Sequence, residues 1–318
     1  MKPASIFIIT ALFVALAGCE VDEPSFDEFK IEGLTIENYP RVDGSTSTHP
    51  LNLIIAAKLL NLEYEFYKGN GVIIYSEYYF GSTLWDKLLC SQTHEAILNL
   101  IDNKVDVITV ARKMSQDEKD YARSKGVNLV ETPIALDGLD FIVNAGNPVN
   151  SLTIKQIQDI YLGKITNWSE VGGADEAILP FIRNANSGSQ EMMNEFVMNN
   201  VAMPDWEIAY GDELTLSTML LVYFELQLNP NAICYTPHYY KEYLVNETAH
   251  ESIKTLKIND IASNETSIKD GTYPVIAPVY AMVQSNINKQ SNAYKIYKLL
   301  QTTYGKAVIE ESGYVPYR

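Results

Sequence analysis

Arg183-Asn184-Ala185-Asn186-Ser187-Gly188-Ser189-Gln190 runs straight into Met192, Met193, Phe196 and Val197, whose apolar spacing is that of a helix face. Ser187 is placed to cap that helix, and Gln190, three residues on, to close a capping box. The first-turn N–H groups then face outward beside the Arg183 guanidinium, so the run reads as an anion clamp at a loop-to-helix junction. Such a junction belongs to an open α/β sheet, in which ligands sit at the carboxyl ends of strands and the starts of helices.

Further junctions of this kind lie upstream. Asp43-Gly44-Ser45-Thr46-Ser47-Thr48-His49-Pro50 has a glycine that lets the backbone approach a ligand, hydroxyl donors, and a proline where a helix needs no N–H. Ser91-Gln92-Thr93-His94-Glu95-Ala96 enters a helix whose apolar face is Ala96, Ile97, Leu100 and Ile101. Each helix start offers an anion about 0.3–1 kcal/mol and each hydrogen bond to a charged group about 1.5–3 kcal/mol. A dozen donors, after desolvation and ordering costs, suffice for the roughly −8 kcal/mol of micromolar binding, with no metal or organic cofactor required.

Around these junctions, short β-rich runs alternate with helical ones, which predicts an α/β fold with largely parallel sheets. Strands are expected at 72–76, 105–110, 140–144, 177–182, 232–235 and 280–284. Pro50 opens a helix to Leu60; Ser115 with Glu118 caps one ended by Gly126, and Thr153 with Gln156 caps one ended by Gly163. A single final helix is expected from Asn292 to Ile309.

The chain has 318 residues and 47% hydrophobic content, enough for two cores. Its formal charge of −16 argues against nucleic acid as a partner and gives no long-range pull on an anion. The site must therefore act locally, inside a Debye length of about 8 Å. Ile6 to Ala17 follows Lys2 and is too short to span a bilayer, so residues 1–18 read as a secretory leader. It ends in Leu16-Ala17-Gly18-Cys19, which resembles the bacterial lipobox and makes Cys19 the expected lipid-bearing residue. Residues 19–38 then form an acidic tether. Cys90 and Cys234 look like small buried hydrophobes carrying free thiols.

Taken together, the chain resembles the periplasmic phosphate-binding proteins of ABC transporters, of the two-lobed type II binding-protein fold. Asp43-Gly44-Ser45-Thr46-Ser47 resembles the family's first phosphate loop. The run Ile160-Tyr161-Leu162-Gly163-Lys164-Ile165-Thr166-Asn167-Trp168-Ser169-Glu170-Val171-Gly172-Gly173 is similar to its most recognisable signature. Arg183 with Ser187-Gly188-Ser189 matches its arginine and Ser-Gly-Thr motif, with serine for threonine. Ala232-Ile233-Cys234-Tyr235 and Ser312-Gly313-Tyr314-Val315-Pro316 also fit.

The resemblance implies two lobes, 39–140 plus 276–318 and 141–275, each a mixed, mostly parallel sheet flanked by helices, closing on inorganic phosphate. It implies Ser45, Thr46, Ser47 and Thr93 as donors from the first lobe and Arg183, Ser187, Gly188 and Ser189 from the second. Trp168 is expected to pack. Where some family members carry an aspartate that accepts the proton of hydrogen phosphate, this chain has Arg112, taken here as a ligand-binding residue; Asp43 and Asp137 are alternative acceptors and alternatively plain turn residues.

The implied partner is an ABC permease, served by a monomeric, membrane-anchored, envelope-located protein whose lobes are hinged near residues 137–144 and 270–278. Sulfate or another tetrahedral oxyanion is the second ligand reading, and a sensing or adhesion lipoprotein the second functional class. No G-x-S-x-G, H-E-x-x-H or P-loop frame occurs, so an enzyme such as a phosphatase is not expected. His49 and His94 read as first-turn helix residues. Tyr239-Tyr240 reads as a surface pair.

Overall fold

The computed structural model describes residues 28–69, 71–75, 83–204, 215–216 and 218–318. The expected leader, Cys19, the tether up to residue 27 and the end of the strand expected at 72–76 lie outside the described residues. No helix among the described residues is long and apolar enough to cross a membrane.

The strands are β1 (Val42–Gly44), β2 (Glu63–Tyr67), β3 (Gly71–Tyr75), β4 (Val107–Val110), β5 (Leu129–Asn144), β6 (Ser151–Leu152), β7 (Leu179–Pro180), β8 (Ile182–Arg183), β9 (Thr215–Leu216), β10 (Ala232–Pro237), β11 (Ile253–Thr255), β12 (Lys257–Ile258), β13 (Ile276–Gln284) and β14 (Val315–Pro316). Eight of them form one sheet in the order β1-β4-β13-β5-β10-β7, with β11 and β14 also paired to β5. Helices α1 (His49–Leu60), α2 (Gln92–Ile101), α3 (Gln116–Ser124), α4 (Ile154–Tyr161) and α5 (Gly188–Met192) precede α6 (Met219–Leu228), α7 (His238–Leu244), α8 (Glu247–Glu251), α9 (Glu265–Asp270), α10 (Asn292–Leu299) and α11 (Thr303–Glu311).

The sheet is mixed, and its pairing corrects the expectation of mostly parallel strands. β1 with β4 and β10 with β7 are parallel, whereas β5 pairs antiparallel with β13, β10, β11 and β14, and β13 antiparallel with β4. β5 is long enough to serve two sets of partners. Its first part, Leu129 to Gly138, pairs with β13, and from Leu139 on it pairs with β10, so one strand runs through two neighbourhoods.

Strand alternation sorts the core accordingly. Leu139, Phe141 and Val143 of β5, with Ile233 and Tyr235 of β10, face a cluster holding Tyr161, Trp168, Met192 and Met193. Their neighbours Ile142, Ala232 and Cys234 face Val222, Tyr223 and Leu226 of α6. Earlier in β5, Ile134 and Ala135 join Leu51, Ile54 and Ala57 of α1 and Leu299 and Ile309 near the C-terminus. Ala96, Ile97 and Leu100 of α2 pack on Ile108, Val110, Tyr280 and Met282. Trp168 is buried in its cluster and donates its indole N–H to the Asn231 carbonyl at 2.9 Å, so it packs as expected.

The capping boxes at Ser115/Glu118 and Thr153/Gln156 form, and Gly126 and Gly163 end those helices with positive φ. The final helix differs from expectation, being split into α10 and α11. Thr302 donates its hydroxyl to the Leu299 carbonyl at 2.7 Å and accepts the Gly305 N–H at 3.1 Å, ending one helix and capping the next. Gly305 is required by the tight corner, since a Cβ there would stand 2.2 Å from the Leu299 carbonyl oxygen.

Candidate functional site

The loop from β1 into α1 is fixed before it meets any ligand. A Cβ on Gly44 would lie 2.5 Å from the Thr109 carbonyl oxygen and 2.7 Å from the Thr48 hydroxyl, so only glycine lets β1 turn this close to β4. Thr48 donates to that same carbonyl at 2.6 Å. The Ser45 hydroxyl accepts the Ala111 N–H at 3.0 Å and shares a proton with the Thr93 hydroxyl at 2.8 Å, which joins the starts of α1 and α2 to the end of β4. Asp43, fully buried, accepts from the Gly44 and Ser91 N–H groups and from the Asn99 amide. It is a brace between two loops, its oxygens committed away from the cleft. Gln92, at the start of α2, has φ 71°, a strained backbone for a non-glycine residue, and it lines the cleft.

On the facing side, Arg183 at the end of β8 is 5% exposed. Its Nε donates to the Leu216 carbonyl at 2.8 Å, and Nη1 donates to the Ser189 hydroxyl at 3.3 Å and lies against the Met219 sulfur. Burial pulls the guanidinium's affinity for its proton below the ordinary arginine value, partly offset by the surrounding tyrosines. Ser187 caps α5 by accepting the Gln190 N–H at 3.1 Å. Gln190, however, does not reach back to close a capping box. Its side-chain oxygen accepts the Arg183 N–H at 3.0 Å and the Tyr235 hydroxyl, so it holds the arginine's main chain in place.

These two sides meet. Ser45, Thr46, Ser47, Thr93, Arg183, Ser187, Gly188 and Ser189 line one cleft of about 400 Å³, together with Ser91, Gln92, His94, Glu95, Ala111, Asn184, Ala185, Asn186, Thr218, Met219, Pro237 and Tyr240. The sides are in contact, for a Cβ on Gly188 would stand 2.8 Å from the Thr93 hydroxyl. Hydroxyls, first-turn N–H groups and one guanidinium give the cleft the chemistry of an oxyanion site. A larger surface groove of about 830 Å³ near Tyr39, Ile101 and Asn292 carries Glu37, Asp102 and Asp106, acidic groups that disfavour an anion.

Arg112 is the expected site residue that does not line this cleft. Its Nη1 donates to Glu118 Oε2 and to the Lys113 carbonyl, both at 2.7 Å, and its Nη2 to Glu118 Oε1 and the Asn186 carbonyl, both at 2.8 Å. The buried carboxylate of Glu118, three residues into the capping box of α3, captures the guanidinium before a ligand can. Asp137 is also remote, buried where β5 crosses, and accepts the Gly138 and Tyr239 N–H groups.

Sequence reading missed Thr218, Met219, Pro237 and Tyr240. Tyr239 and Tyr240 are buried, correcting the surface reading, and Tyr240 faces the cleft. The missed signal was available: Pro237 marks the passage from β10 into α7, one more strand-to-helix junction. Cys90 is exposed rather than buried because it lies in the open loop before α2, whereas Cys234 is buried; both thiols are free.

Comparison with known proteins agrees with this architecture. A family model described as a PBP superfamily domain matches residues 87–307. The chain belongs to the PBP superfamily. Among curated relatives, protein SphX of Synechococcus elongatus is 24% identical over 86% of this chain and 76% of its own length. The phosphate-binding protein PstS of Staphylococcus saprophyticus is 26% identical over 68% of this chain and 66% of its own.

Two solved structures share the fold. A Clostridium perfringens protein assigned as a phosphate ABC transporter substrate-binding protein, with phosphate bound, matches with TM-score 0.63 at 22% identity, covering 87% of this chain and 98% of its own. An ABC-type phosphate transport receptor from Vibrio cholerae matches with TM-score 0.58 at 21% identity, covering 86% and 98%.

Proposed function

We propose that this chain binds inorganic phosphate between two lobes, residues 39–140 plus 276–318 and residues 141–275, and delivers it to an ABC permease without acting as an enzyme. The reading rests above all on Ser45 to Ser47, Thr93 and the Arg183 to Ser189 run lining a single cleft of about 400 Å³. Relatives named for phosphate binding support the choice of ligand. Closure is by hinge, the ligand stabilising the form in which both sides touch it. The lipobox-like Leu16-Ala17-Gly18-Cys19 supports a lipoprotein held at the cell envelope through Cys19, acting as a monomer in this reading.

Sulfate is the second reading, favoured by one feature. The carboxylate lining the cleft among the described residues is the exposed Glu95, so no buried acid stands ready to take the proton of hydrogen phosphate. Calorimetry with phosphate and with sulfate from pH 5 to 9, on the parent and Arg183→Ala, tests both readings. Phosphate should bind at micromolar strength or tighter. Losing two charge-assisted bonds of about 1.5–3 kcal/mol each should weaken it at least 100-fold. Phosphate affinity indifferent to Arg183→Ala would refute the site, and preference for sulfate would replace the ligand.

A further inference from the structure

We propose that Asn186 is a latch, a positioning residue that ties the donor loop Ser187-Gly188-Ser189 to the opposite side of the cleft and thereby sets how fast the ligand leaves. Asn186 is gripped at two points. Its carbonyl accepts Arg112 Nη2 at 2.8 Å, and its side-chain amide donates to Asp117 Oδ2 at 2.7 Å. Both partners belong to the segment that ends β4 and begins α3, across the cleft from the loop they hold.

The grip is itself supported. Glu118 fixes Arg112 through both guanidinium nitrogens and also bonds the Ser115 N–H at 2.8 Å and His94 Nδ1 at 2.7 Å, and His94 lines the cleft. Asp117 in turn accepts the Ser115 hydroxyl at 2.5 Å. With φ 63°, Asn186 occupies the left-handed region that asparagine tolerates better than most residues, which aims its carbonyl and side chain at these partners. Opening the cleft must break both bonds to Asn186. They are made only in the closed form, which the phosphate-free protein samples as well, so their loss should appear as faster release rather than slower capture. The arginine at this position serves closure where an acid would have served the ligand.

The proposal rests on the anion-binding reading of the cleft, and its test separates the two. Asn186→Gly keeps the left-handed backbone and the carbonyl while deleting the amide, Asp117→Ala deletes its partner on the exposed start of α3, and the double variant completes a cycle. With inorganic phosphate as the probe, each single variant should release it about 3- to 10-fold faster, Asp117→Ala, which lies outside the cleft lining, with association within twofold of the parent, and the double variant should release it no faster than the faster single. In phosphate-free protein, hydrogen exchange at residues 184–192 should speed up in both singles.

A loop residue with a merely local role would leave Asp117→Ala like the parent in both measurements, and that result, or additive effects in the double variant, overturns the latch. Should phosphate fail to bind the parent at all, the ligand reading falls, while exchange in Asp117→Ala still decides the latch.

Discussion

Gly188→Ala is expected to cripple binding while leaving the stability of the fold close to that of the parent. Gly188 has no positive φ and is the first residue of α5, so alanine fits its backbone and should add about 0.4–1 kcal/mol by restricting the unfolded chain. The new methyl group would stand 2.8 Å from the Thr93 hydroxyl, inside the 3.4 Å of ordinary contact, with Ala111 Cβ next at 3.6 Å. Relief demands either a wider cleft or a turned Thr93, and a turned Thr93 gives up its aim at the ligand and its buried 2.8 Å bond to Ser45, a loss of about 0.5–1.5 kcal/mol that offsets the backbone gain.

A lost hydrogen bond to a charged ligand costs about 1.5–3 kcal/mol, so phosphate should bind roughly 10- to 150-fold more weakly. Calorimetry and thermal unfolding on the same preparation read both effects. Thr93→Ala removes the obstructing oxygen, so adding Gly188→Ala to it should cost no further affinity. Unchanged affinity in Gly188→Ala, or full additivity with Thr93→Ala, would refute the claim that these residues meet when the cleft is shut.

Other expectations concern the crossing and the C-terminal corner. Burial pushes Asp137 up to about 7, against the Tyr239 and Gly138 N–H donors and the neighbouring His238. Its unfolded value is about 3.9, so between roughly pH 4 and 7 the native state holds the extra proton and stability should fall as pH rises, by at most about 4 kcal/mol. His238, where burial is the largest single influence and lowers it but the charge and hydrogen bond of Asp140 with the charge of Asp137 together raise it on balance, acts in the same sense above its unfolded value of about 6.5. Urea unfolding at pH 5 and pH 8 should show the decline, and Asp137→Asn should flatten it; a profile unaltered by that change excludes Asp137 as its source. Gly305→Ala would force a Cβ to 2.2 Å from the Leu299 carbonyl and should cost at least about 2 kcal/mol of stability, a loss that urea denaturation would detect.

What the sequence disclosed was local. Capping at Ser115, Thr153 and Ser187 is written in residues three apart, and the apolar period of α2 names its buried face, because both depend on neighbours within one or two turns. Arg112 and Gln190 were misplaced for the opposite reason. Each has a polar end with several partners in reach, and the winner is decided by packing. A fully buried carboxylate at Glu118 outbids a ligand for Arg112, and the Arg183 amide with the Tyr235 hydroxyl outbids the cap for Gln190. Periodicity also carries no strand direction, so β5 and β13 read as ordinary α/β strands although they pair antiparallel.

That antiparallel pair explains why the site could be located from sequence while the sheet was misdrawn. β1, β4, β8 and β10 each deliver cleft residues from their carboxyl ends: Ser45 to Ser47, Ala111, Arg183 to Ser189, and Pro237 with Tyr240. β5, β11, β13 and β14 deliver none of the lining residues; β5 and β13 run through the centre of the sheet, and β11 and β14 pair only with β5. Strand-to-helix junctions thus predict the cleft whatever the direction of the strands between them. It follows that substitutions at the buried middle of β5 should reach the ligand only through the relative placement of the two sides, whereas changes at the junctions should act on it directly.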